Sequence, residues 1–559
     1  MYICSDFQDF KNTFIGLKNP KYLTISPALP LRKKEILELK DFLIDKEFCC
    51  LENSLGNKDD VLSQIHDLFQ TNVDKNWLYS YTSKVLLSVK QIEALNKVFL
   101  INSFFKKNPR SNLVIFCPDK QINNLLKSIY LGRRKFLKIE PPSWYAWLRF
   151  FRTLLRVLFN SRGKVNADTV IVTLSSPTSK QYIDPYYGDL PSISKKDKKS
   201  IYIYISSGYK IQLYKSEQIF PLESFAKVSD VLDAWLTSFF EGLRLHPKKN
   251  KDSSLFHYEI NKFLKASEVR HGDFFYHCFL KASFNRIFKS LSPSSVLYPF
   301  ENRSWEKLLL RSAYVAGVKN TVGYQHSSIT ERHFALKILE NELDSKDLPL
   351  KIITAGRVTY EWLKHNSPVI SKKLICGGSL RKLKETLDLP SHKGILVAIS
   401  SSVNEAQRIL GVLNKLEKKI SVPIIVRSHP TINIEKLFNS MTWSSNVILS
   451  KNKKLSEDLF YCHVVLYSSS TVAIEGMLSG RLPIFLDIGD IPCGDPLLGN
   501  AIFSTKNEND ILKAIKSIDS WTNFELKKIQ SKSMSFSKSY LKDITPEKFF
   551  SLVYLDIAL

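Results

Sequence analysis

Short runs of apolar, largely β-branched residues alternate with longer segments of helical periodicity over most of the chain. The rhythm is clearest beyond residue 390, between the segments GILVAIS and LPIFL. Apolar strands that alternate with amphipathic helices indicate βαβ units, and therefore a parallel sheet covered on both faces. The strands predicted in this part are 394–400, 423–427, 446–450, 463–467 and 482–486, with helices at 404–418 and 472–479.

An earlier stretch repeats the pattern. Its predicted strands are 169–174, 200–206, 295–299, 321–324, 352–354 and 373–376, and its predicted helices are 275–291, 305–316 and 359–364. A chain of 559 residues exceeds what one core usually supports. We therefore predict an α/β fold with two Rossmann-like domains facing a cleft. The predicted divisions are an N-terminal α/β region at 1–140 (a separate domain or the start of the first half), a helix region at 141–165, a first half at 166–390 and a second half with C-terminal helices at 391–559.

The helix region contains the aromatic segment WYAWLRFFRTLLRVLF at 144–159. Arg149, Arg152 and Arg156 share one face of the predicted helix, which is too short and too charged to span a bilayer. An apolar face with arginines and interfacial aromatics favours a helix in the headgroup region of an anionic membrane. Basic residues at 133–138 and 162–164 add positive charge on both sides. The alternative is a helix that caps the core and turns its arginines to solvent.

The formal net charge of +26 favours a polyanionic partner, either nucleic acid, anionic lipid or a phosphorylated substrate. No clustered aromatic and basic RNA motif or helix-turn-helix signal occurs, so nucleic acid is not an expected partner. The eight cysteines form no CxxC pair, which predicts reduced thiols in a cytoplasmic protein. The first residues also lack the basic start and apolar core of a secretory signal.

Two polar clusters follow predicted strands of the second half. His429 lies just beyond the strand at 423–427 and precedes a proline. Ser468, Ser469, Ser470 and Thr471 follow the strand at 463–467 and precede a helix. One serine there would suffice as an N-cap, but four consecutive hydroxyls exceed what capping requires. Ligands of parallel sheets bind at the carboxyl ends of strands, where helix amides favour anions. The clusters therefore predict a phosphate site, with a plain turn histidine as the alternative for His429.

A strand followed by His-Pro and, about forty residues later, a strand followed by Ser-Ser resembles a known family. These are the C-terminal motifs of bacterial GT-B transferases that use CMP-activated acidic sugars, such as sialyltransferases and Kdo transferases. The resemblance implies that His429, Ser468, Ser469 and Ser470 hold the CMP phosphate. The segment 474–483 resembles the Glu-Ala-Met-Ala-Ser-Gly-x-Pro element of many GT-B enzymes, which implies a ribose contact for Glu475. The resemblance is specific over 390–490 and general in layout over 165–390.

The acidic-acidic-Gly motif that supplies the base in the sialyltransferases does not occur in this sequence, so candidates follow from position. Glu301 comes after the strand at 295–299 and opens a helix, and His326 follows the strand at 321–324. Either side chain could take the proton of an acceptor hydroxyl, although Glu301 is equally consistent with an ordinary acid at a helix start. Charge alone suggests contacts to a sugar carboxylate or lipid pyrophosphate. The arginines concerned are Arg303, Arg332 and Arg427, and Arg381 resembles the residue that closes the Gly-Ser-x-Arg loop of GT-B first halves.

No Walker A loop, GxGxxG after a strand, GxSxG elbow, HExxH or Asp-x-Asp occurs in the sequence. We therefore expect a metal-independent reaction without a cofactor, in which a nucleotide sugar is the co-substrate and no metal ligands are assigned. Within the resemblance, the half at 391–559 binds the nucleotide sugar and the half at 166–390 binds the acceptor.

Together these inferences predict a glycosyltransferase of capsule, O-antigen, lipopolysaccharide or other surface carbohydrate biosynthesis. It would transfer an acidic ulosonic sugar from a CMP donor to a lipid-linked oligosaccharide. The expected location is the cytoplasm, on the inner face of the plasma membrane. One alternative is a CDP-glycerol or CDP-ribitol phosphotransferase, which resembles this layout and also uses a His-Pro histidine. Another is a UDP-sugar epimerase on the same double fold.

Overall fold

A computed structural model of the chain describes residues 2–4, 21–24, 79, 84, 98–99, 101–102, 113–116, 120–131, 142–160, 165–174, 183–191, 199–205, 218–243, 255–380, 394–430, 432–451, 453–488 and 494–555. The chain divides into two compact units. The first comprises Met1–Ser161, Glu223–Arg286 and Arg303–Leu309, and the second comprises Arg162–Leu222, Ile287–Asn302 and Leu310–Leu559.

The first unit contains a small parallel sheet with strand order β1-β3-β2. Its strands are β1 (Tyr2–Cys4), β2 (Lys21–Thr24) and β3 (Leu113–Phe116). Its helices are α1 (Lys120–Leu131), α2 (Trp144–Phe159), α3 (Val228–Leu243), α4 (Leu255–His271) and most of α5 (Asp273–Leu291). Strands β2 and β3 lie in the predicted N-terminal α/β region, and they belong to one unit with α2, α3 and α4.

The helix predicted at 144–159 is confirmed as α2, but two of its three arginines pair with acids inside the protein. Arg156 is 8% exposed and pairs with Glu223, and Arg149 pairs with Asp273. The physical reason is that acidic side chains on neighbouring segments of the same unit receive the arginine side of the helix. Replacing these arginines with glutamate would place like charges together, so it does not test membrane binding.

The second unit contains a parallel sheet of seven strands, in the order β10-β9-β8-β7-β4-β5-β6. The strands are β4 (Thr169–Thr173), β5 (Ser200–Tyr204), β6 (Ile219–Pro221), β7 (Ser295–Pro299), β8 (Asn320–Gln325), β9 (Lys351–Thr354) and β10 (Leu374–Cys376). After β6 the chain returns to the other side of β4 and continues outward from β7. The strand order therefore reverses between β4 and β7. The connecting helices include α6 (Ser304–Val315) and α7 (Arg357–Asn366).

A second parallel sheet, of six strands, has the order β13-β12-β11-β14-β15-β16 and reverses between β11 and β14. Its strands are β11 (Gly394–Ala398), β12 (Ile424–Arg427), β13 (Val447–Leu449), β14 (Cys462–Tyr467), β15 (Leu482–Leu486) and β16 (Phe503–Thr505). Its helices are α8 (Val403–Leu416), α9 (Glu435–Asn439), α10 (Leu455–Phe460), α11 (Val472–Leu478), α12 (Glu508–Asp519) and α13 (Asn523–Tyr540), and the last helix of the chain is α14 (Pro546–Val553).

Helices cover both faces of the six-stranded sheet, as its uninterrupted apolar strands predict. Along β11, Ile395 and Val397 join a core with α8 and α12, whereas Leu396 and Ala398 join a separate core with α11 and α13. The alternation follows from the two-residue period of a strand. The predicted fold class, α/β with two Rossmann-like halves and an additional N-terminal region, is confirmed by these sheets.

The C-terminal helix differs from the predicted division. The sequence groups α14 with the second half, but Phe549 and Val553 are fully buried in the core of the seven-stranded sheet. The chain reaches that sheet from α13, whose last residue Tyr540 exchanges hydrogen bonds through its hydroxyl with the backbone of Ile329. In the part of the chain that the structure describes, no helix combines the length and apolar character needed to cross a bilayer.

Candidate functional site

The carboxyl ends of β11, β12 and β14 are neighbours at one edge of the six-stranded sheet. The strand order reverses between β11 and β14, and open α/β sheets bind their ligands in the crevice at such a point. The loop after β11 contains Ser400, Ser401 and Ser402, and the loop after β14 contains the predicted hydroxyl run. The fold thus brings two serine-rich loops to the place where a ligand is expected.

Glu405 ties these two loops together. It lies in the first turn of α8 and is completely buried. Its carboxylate accepts hydrogen bonds from the Ser400 hydroxyl, from the Ser469 hydroxyl at 2.5 Å and from the Ser469 amide at 3.3 Å. A buried carboxylate needs such donors, because desolvation of an unpaired charge is costly. Glu405 therefore fixes the position of the β14 loop relative to the β11 loop.

His429 follows β12, the next strand along, and is half-buried. Burial lowers the pKa of its imidazole, and the nearby negative charge of Glu405 opposes this effect without cancelling it. The imidazole is therefore neutral at pH 7 and can donate one N–H hydrogen bond to an anion in the crevice. The imidazole is close enough to Glu405, the residue that joins the two serine loops, for that charge to affect its pKa.

The remaining residues of the predicted phosphate site lie on the same edge. Ser468 and Ser470 are buried, whereas Thr471 is exposed at the N-terminal end of α11 and its side chain makes no capping bond. Glu475 is partly buried one turn into α11. The Ser469 hydroxyl donates to Glu405 and is therefore engaged in holding the loop. The roles assigned to these residues stay predictions.

The seven-stranded sheet has its own polar cluster, at the carboxyl ends of β7 and β8. Glu301 is partly exposed and follows β7. The next residue, Asn302, has a left-handed backbone with φ of 59° and donates a side-chain hydrogen bond to the Ala335 carbonyl at 2.6 Å. Asparagine tolerates this conformation better than most residues. The turn at Asn302 ends the strand and holds Glu301 at the sheet edge.

His326, the second base candidate, lies next to the first. Its Nε2 atom is 3.8 Å from the Glu301 Oε1 atom, and the imidazole is 4% exposed. The ring of Tyr186 meets the imidazole edge to face, with ring centroids 4.5 Å apart. From the sequence alone, Glu301 and His326 are alternative candidates for the base. The structure brings the carboxylate and the imidazole into one cluster, 3.8 Å apart.

The predicted arginine contacts have different positions. Arg427 ends β12 and pairs with Asp458, with Nη1 and Oδ2 2.5 Å apart. Arg303 belongs to the first unit, where its carbonyl accepts the Glu306 amide at the start of α6. Arg332 lies in the loop after β8, within 3.4 Å of the position that a Cβ atom on Gly494 would take. Arg381 lies outside the described residues.

Three residues of these clusters were missed by sequence reasoning. Glu405 stands three positions after Ser402, a spacing typical of a capping box, so its pattern indicates a helix start and nothing more. Tyr186 and Asp184 follow β4 in the sequence DPYYG, where the Asp184 carboxylate accepts from the Thr173 hydroxyl at 2.7 Å and from the Tyr186 amide at 2.7 Å. A signal existed for Asp184, since aspartate commonly caps such turns, but none existed for Tyr186.

Loops from the two sheets meet within the second unit. A Cβ atom on Gly494, in the segment beyond β15, would lie 2.8 Å from the Cβ and Oγ1 atoms of Thr330, which follows β8. Only glycine fits this approach without a shift of the neighbouring chain. The carboxyl-end loops of β8 and β15 therefore touch. Among the residues that the structure describes, no group of three or more His, Cys, Asp or Glu side chains could hold a metal ion.

No protein-family model matches the chain, and no curated protein matches it. Among solved structures, CalG4, the calicheamicin glycosyltransferase, is similar over 69% of this chain and 97% of its own, with 8% identity and a TM-score of 0.45. MurG of Acinetobacter baumannii is similar over 69% and 99%, with 10% identity and a TM-score of 0.40. UDP-N-acetylglucosamine 2-epimerase from Rickettsia bellii is similar over 70% and 97%, with 12% identity and a TM-score of 0.39. Scores this low leave the function to be argued from the residues of the chain itself.

Proposed function

We propose that the chain is a glycosyltransferase that transfers an acidic ulosonic sugar from a CMP donor to a lipid-linked glycan during surface carbohydrate biosynthesis. The observation that carries the proposal is the meeting of the loops after β11 and β14 around buried Glu405, with His429 beside them. This cluster lies at the reversal of the strand order, where α/β sheets take their ligands.

On the donor side, the proposal gives His429 and the serine loops the phosphate of CMP. As the bond between the anomeric carbon and the phosphate oxygen breaks, negative charge grows on that phosphate. A neutral imidazole held in place by a half-buried loop donates a hydrogen bond to it without reorganisation, which lowers the barrier. Glu475, one turn into α11, would contact the ribose.

On the acceptor side, the proposal gives Glu301 the proton of the acceptor hydroxyl. Glu301 is partly exposed and can reach a substrate, whereas His326 is buried behind it at 3.8 Å. The imidazole can share the proton once the carboxylate has received it. Bond formation to the anomeric carbon, proton transfer to Glu301 and departure of CMP then balance without an external reactant.

The proposal also includes the partners that the sequence predicts. The donor is a nucleotide sugar and no metal ion takes part, so transfer should persist in the presence of EDTA. The acceptor is a lipid-linked oligosaccharide, which places the reaction at a membrane surface, and we place it on the inner face of the plasma membrane. Nucleic acid is not a partner in this scheme.

A ranked nucleotide screen tests the donor. Ligands that bind only the folded state raise the melting temperature by mass action, so the size of the shift ranks affinities. We expect CMP to raise the melting temperature more than UDP or GDP at equal millimolar concentration. The shift should disappear in His429→Ala and persist in His365→Ala, which removes an exposed histidine of α7.

Other outcomes would replace the proposal. If UDP gives the largest shift, a UDP-sugar transferase or epimerase takes its place, and release of free sugar without an acceptor identifies the epimerase. If CDP-glycerol or CDP-ribitol stabilises the protein and the product carries a polyol phosphate, the chain is a phosphotransferase.

A further inference from the structure

Two helices of the first unit, α2 and α3, pack side by side over an aromatic cluster. The Trp147 and Phe150 rings of α2 lie 4.6 Å and 4.9 Å from the Trp235 ring of α3, and Phe275 lies 5.4 Å below Trp235. Such ring pairs contribute beyond the apolar area that they bury. The two helices therefore form one rigid layer.

The polar side of α2 points into this unit. The guanidinium of Arg149 pairs with Asp273 and lies 4.3 Å from the centre of the Tyr276 ring. Arg156 pairs with Glu223 at 3.4 Å, and both side chains are buried. An amphipathic helix on a globular surface normally buries its apolar stripe. In α2 the inward side contains Arg156 together with Ala146, Phe150 and Val157, and a second set of large apolar side chains is left outside.

The outward side chains of both helices are large and apolar. On α2 they recur at helical spacing and include Trp144, which is 71% exposed, and Phe159, which is 63% exposed. On α3, Leu236, Phe239 and Phe240 are each about half exposed. Trp147 belongs to the α2 stripe and touches Trp235, so the two stripes adjoin. We call this surface the two-helix face. Contiguous apolar patches of this kind mark interaction sites.

Charge identifies the partner. Helix α2 contains no acidic residue, and of the acids in α3 only Asp233 is exposed: Asp230 pairs with Arg286, and Glu241 accepts from the Tyr79 hydroxyl at 2.6 Å. Basic residues adjoin both helices in sequence, at 133–138, 162–164 and 244–251, and exposed Lys227 directly precedes α3. An apolar face with tryptophan and tyrosine at one end, a single exposed acid and an exposed lysine at the start of α3 matches the interface of an anionic bilayer.

We propose that the two-helix face docks on an anionic bilayer, with its apolar side chains inserted at the headgroup boundary. Arg149 and Arg156 hold α2 from the protein side and do not contact lipid. This inference deepens the membrane location within the proposed function. It stands apart from the transfer chemistry, because vesicle binding requires neither donor nor acceptor.

Vesicle sedimentation of the full chain tests the face. We expect binding to vesicles of equal parts phosphatidylglycerol and phosphatidylcholine, and at least about tenfold weaker binding to phosphatidylcholine alone. The double variant Phe239→Ser/Phe240→Ser should bind the anionic vesicles about tenfold less or weaker still, since it removes apolar area that the bilayer would bury. Both positions are half exposed, so the melting temperature should stay near that of the wild type.

A matched control removes two exposed aromatic rings elsewhere. Phe460→Ser/Phe524→Ser changes side chains that are 60% and 77% exposed on α10 and α13 and should bind vesicles as the wild type does. If the α3 variant binds like the control, or if the wild type binds neither vesicle, the proposal is wrong. A wild type that is dimeric by light scattering and becomes monomeric in the α3 variant would instead assign the face to a second copy of the chain. The nucleotide melting shifts, measured on the same protein without vesicles, report separately on the donor site.

Discussion

The two large sheets of the second unit share one topology and carry different chemistry at the same place. Each is fully parallel and reverses its strand order next to its first strand, between β4 and β7 in one and between β11 and β14 in the other. At the six-stranded sheet, the loops present hydroxyls, a neutral imidazole and a buried carboxylate. At the seven-stranded sheet, they present a partly exposed carboxylate and an imidazole 3.8 Å away.

The shared topology puts the two polar clusters at equivalent sheet edges, and the loop residues make those edges chemically different. One edge combines a helix N-terminus, a neutral imidazole and serine loops held in place by Glu405, and helix N-termini favour anions. The other pairs two titratable groups, as proton transfer requires. If the two edges act separately, a change at one should alter binding or turnover without the corresponding change at the other.

The largest effect is expected at the acceptor edge. Glu301→Gln removes the carboxylate to which we assign the acceptor proton, so transfer should fall by about a hundredfold to ten-thousandfold. CMP affinity should stay near that of the wild type, because the nucleotide site belongs to the other sheet. Turnover and the CMP dissociation constant are measured on the same preparation. Glu361→Gln, at an exposed position of α7, is the control and should leave both unchanged.

An active Glu301→Gln enzyme would contradict this assignment of the base. His326→Asn then decides between the two members of the cluster. If it alone abolishes transfer, the imidazole takes the proton and Glu301 orients it.

The next effect is expected at the donor edge. His429→Ala should lower turnover by about two to three orders of magnitude, the scale of losing one preorganised donor to a developing charge. Because burial lowers the pKa of His429, its neutral form is the active one from pH 8 down to below its ordinary pKa. Turnover should therefore be flat over that range, and fall only at more acidic pH. Unchanged turnover in His429→Ala would make the residue an ordinary turn histidine.

A smaller effect is expected from the residue that joins the serine loops. Glu405→Gln keeps the shape of the side chain but replaces one carboxylate oxygen with an amide group that donates. A serine hydroxyl then loses its acceptor, so the β14 loop is no longer held to α8 in the same way. The CMP dissociation constant should rise about tenfold, the scale of one hydrogen bond to a charged group. Glu417→Gln is the matched control, because Glu417 is also buried and bonds a serine, Ser444, at the far end of α8. It should lower the melting temperature and leave CMP affinity unchanged. Equal CMP affinities in the two variants would remove Glu405 from the site.

Much of both sheets could be predicted from the sequence, because buried parallel strands are uninterrupted apolar runs. β7 and β15 begin and end where the pattern puts them. Helix α3 could not be found, since its outward apolar stripe removes the contrast between faces on which helical periodicity depends. The orientation of α2 was equally hidden. Its partners Asp273 and Glu223 lie 124 and 67 positions away in sequence, and one helix cannot show which of its faces is buried.

The sequence could locate the candidate site because most of its residues follow predicted strands. His429, the hydroxyl run, Glu301 and His326 all follow strands, and the parallel topology gathers them at two edges. The pairing of Glu301 with His326 depends on β7 and β8 being neighbours, which spacing alone does not specify. Glu405 was hidden because its spacing from Ser402 is sufficiently explained by helix capping.

A third histidine, His277, can be compared with His429 and His326, and both of its ring nitrogens have partners inside the protein. His277 lies in α5 of the first unit and is buried. Its Nδ1 atom is 3.1 Å from the Asp273 carbonyl, and its Nε2 atom is 3.2 Å from the Ser304 hydroxyl. Burial lowers the pKa of His277 to about 4, from 6.5, with a smaller contribution from Arg149. Between pH 4 and pH 6.5, His277 is therefore protonated in the unfolded state and neutral in the folded state. Stability is fully present above pH 6.5 and is lost as the pH falls towards 4, by roughly 3 kcal/mol at most.

His277→Gln keeps a neutral donor and acceptor, so its melting temperature should start lower at neutral pH and fall less steeply on acidification. Calorimetry across this range measures the slope, with exposed His365→Gln as the control that should follow the wild type. The variant should change turnover at neutral pH far less than Glu301→Gln does, since His277 contacts Ser304 and not Glu301 or His326. A variant that loses stability on acidification as steeply as the wild type would show that other groups govern acid unfolding. The loss of turnover at acidic pH could then be assigned to His429 only after that unfolding is accounted for.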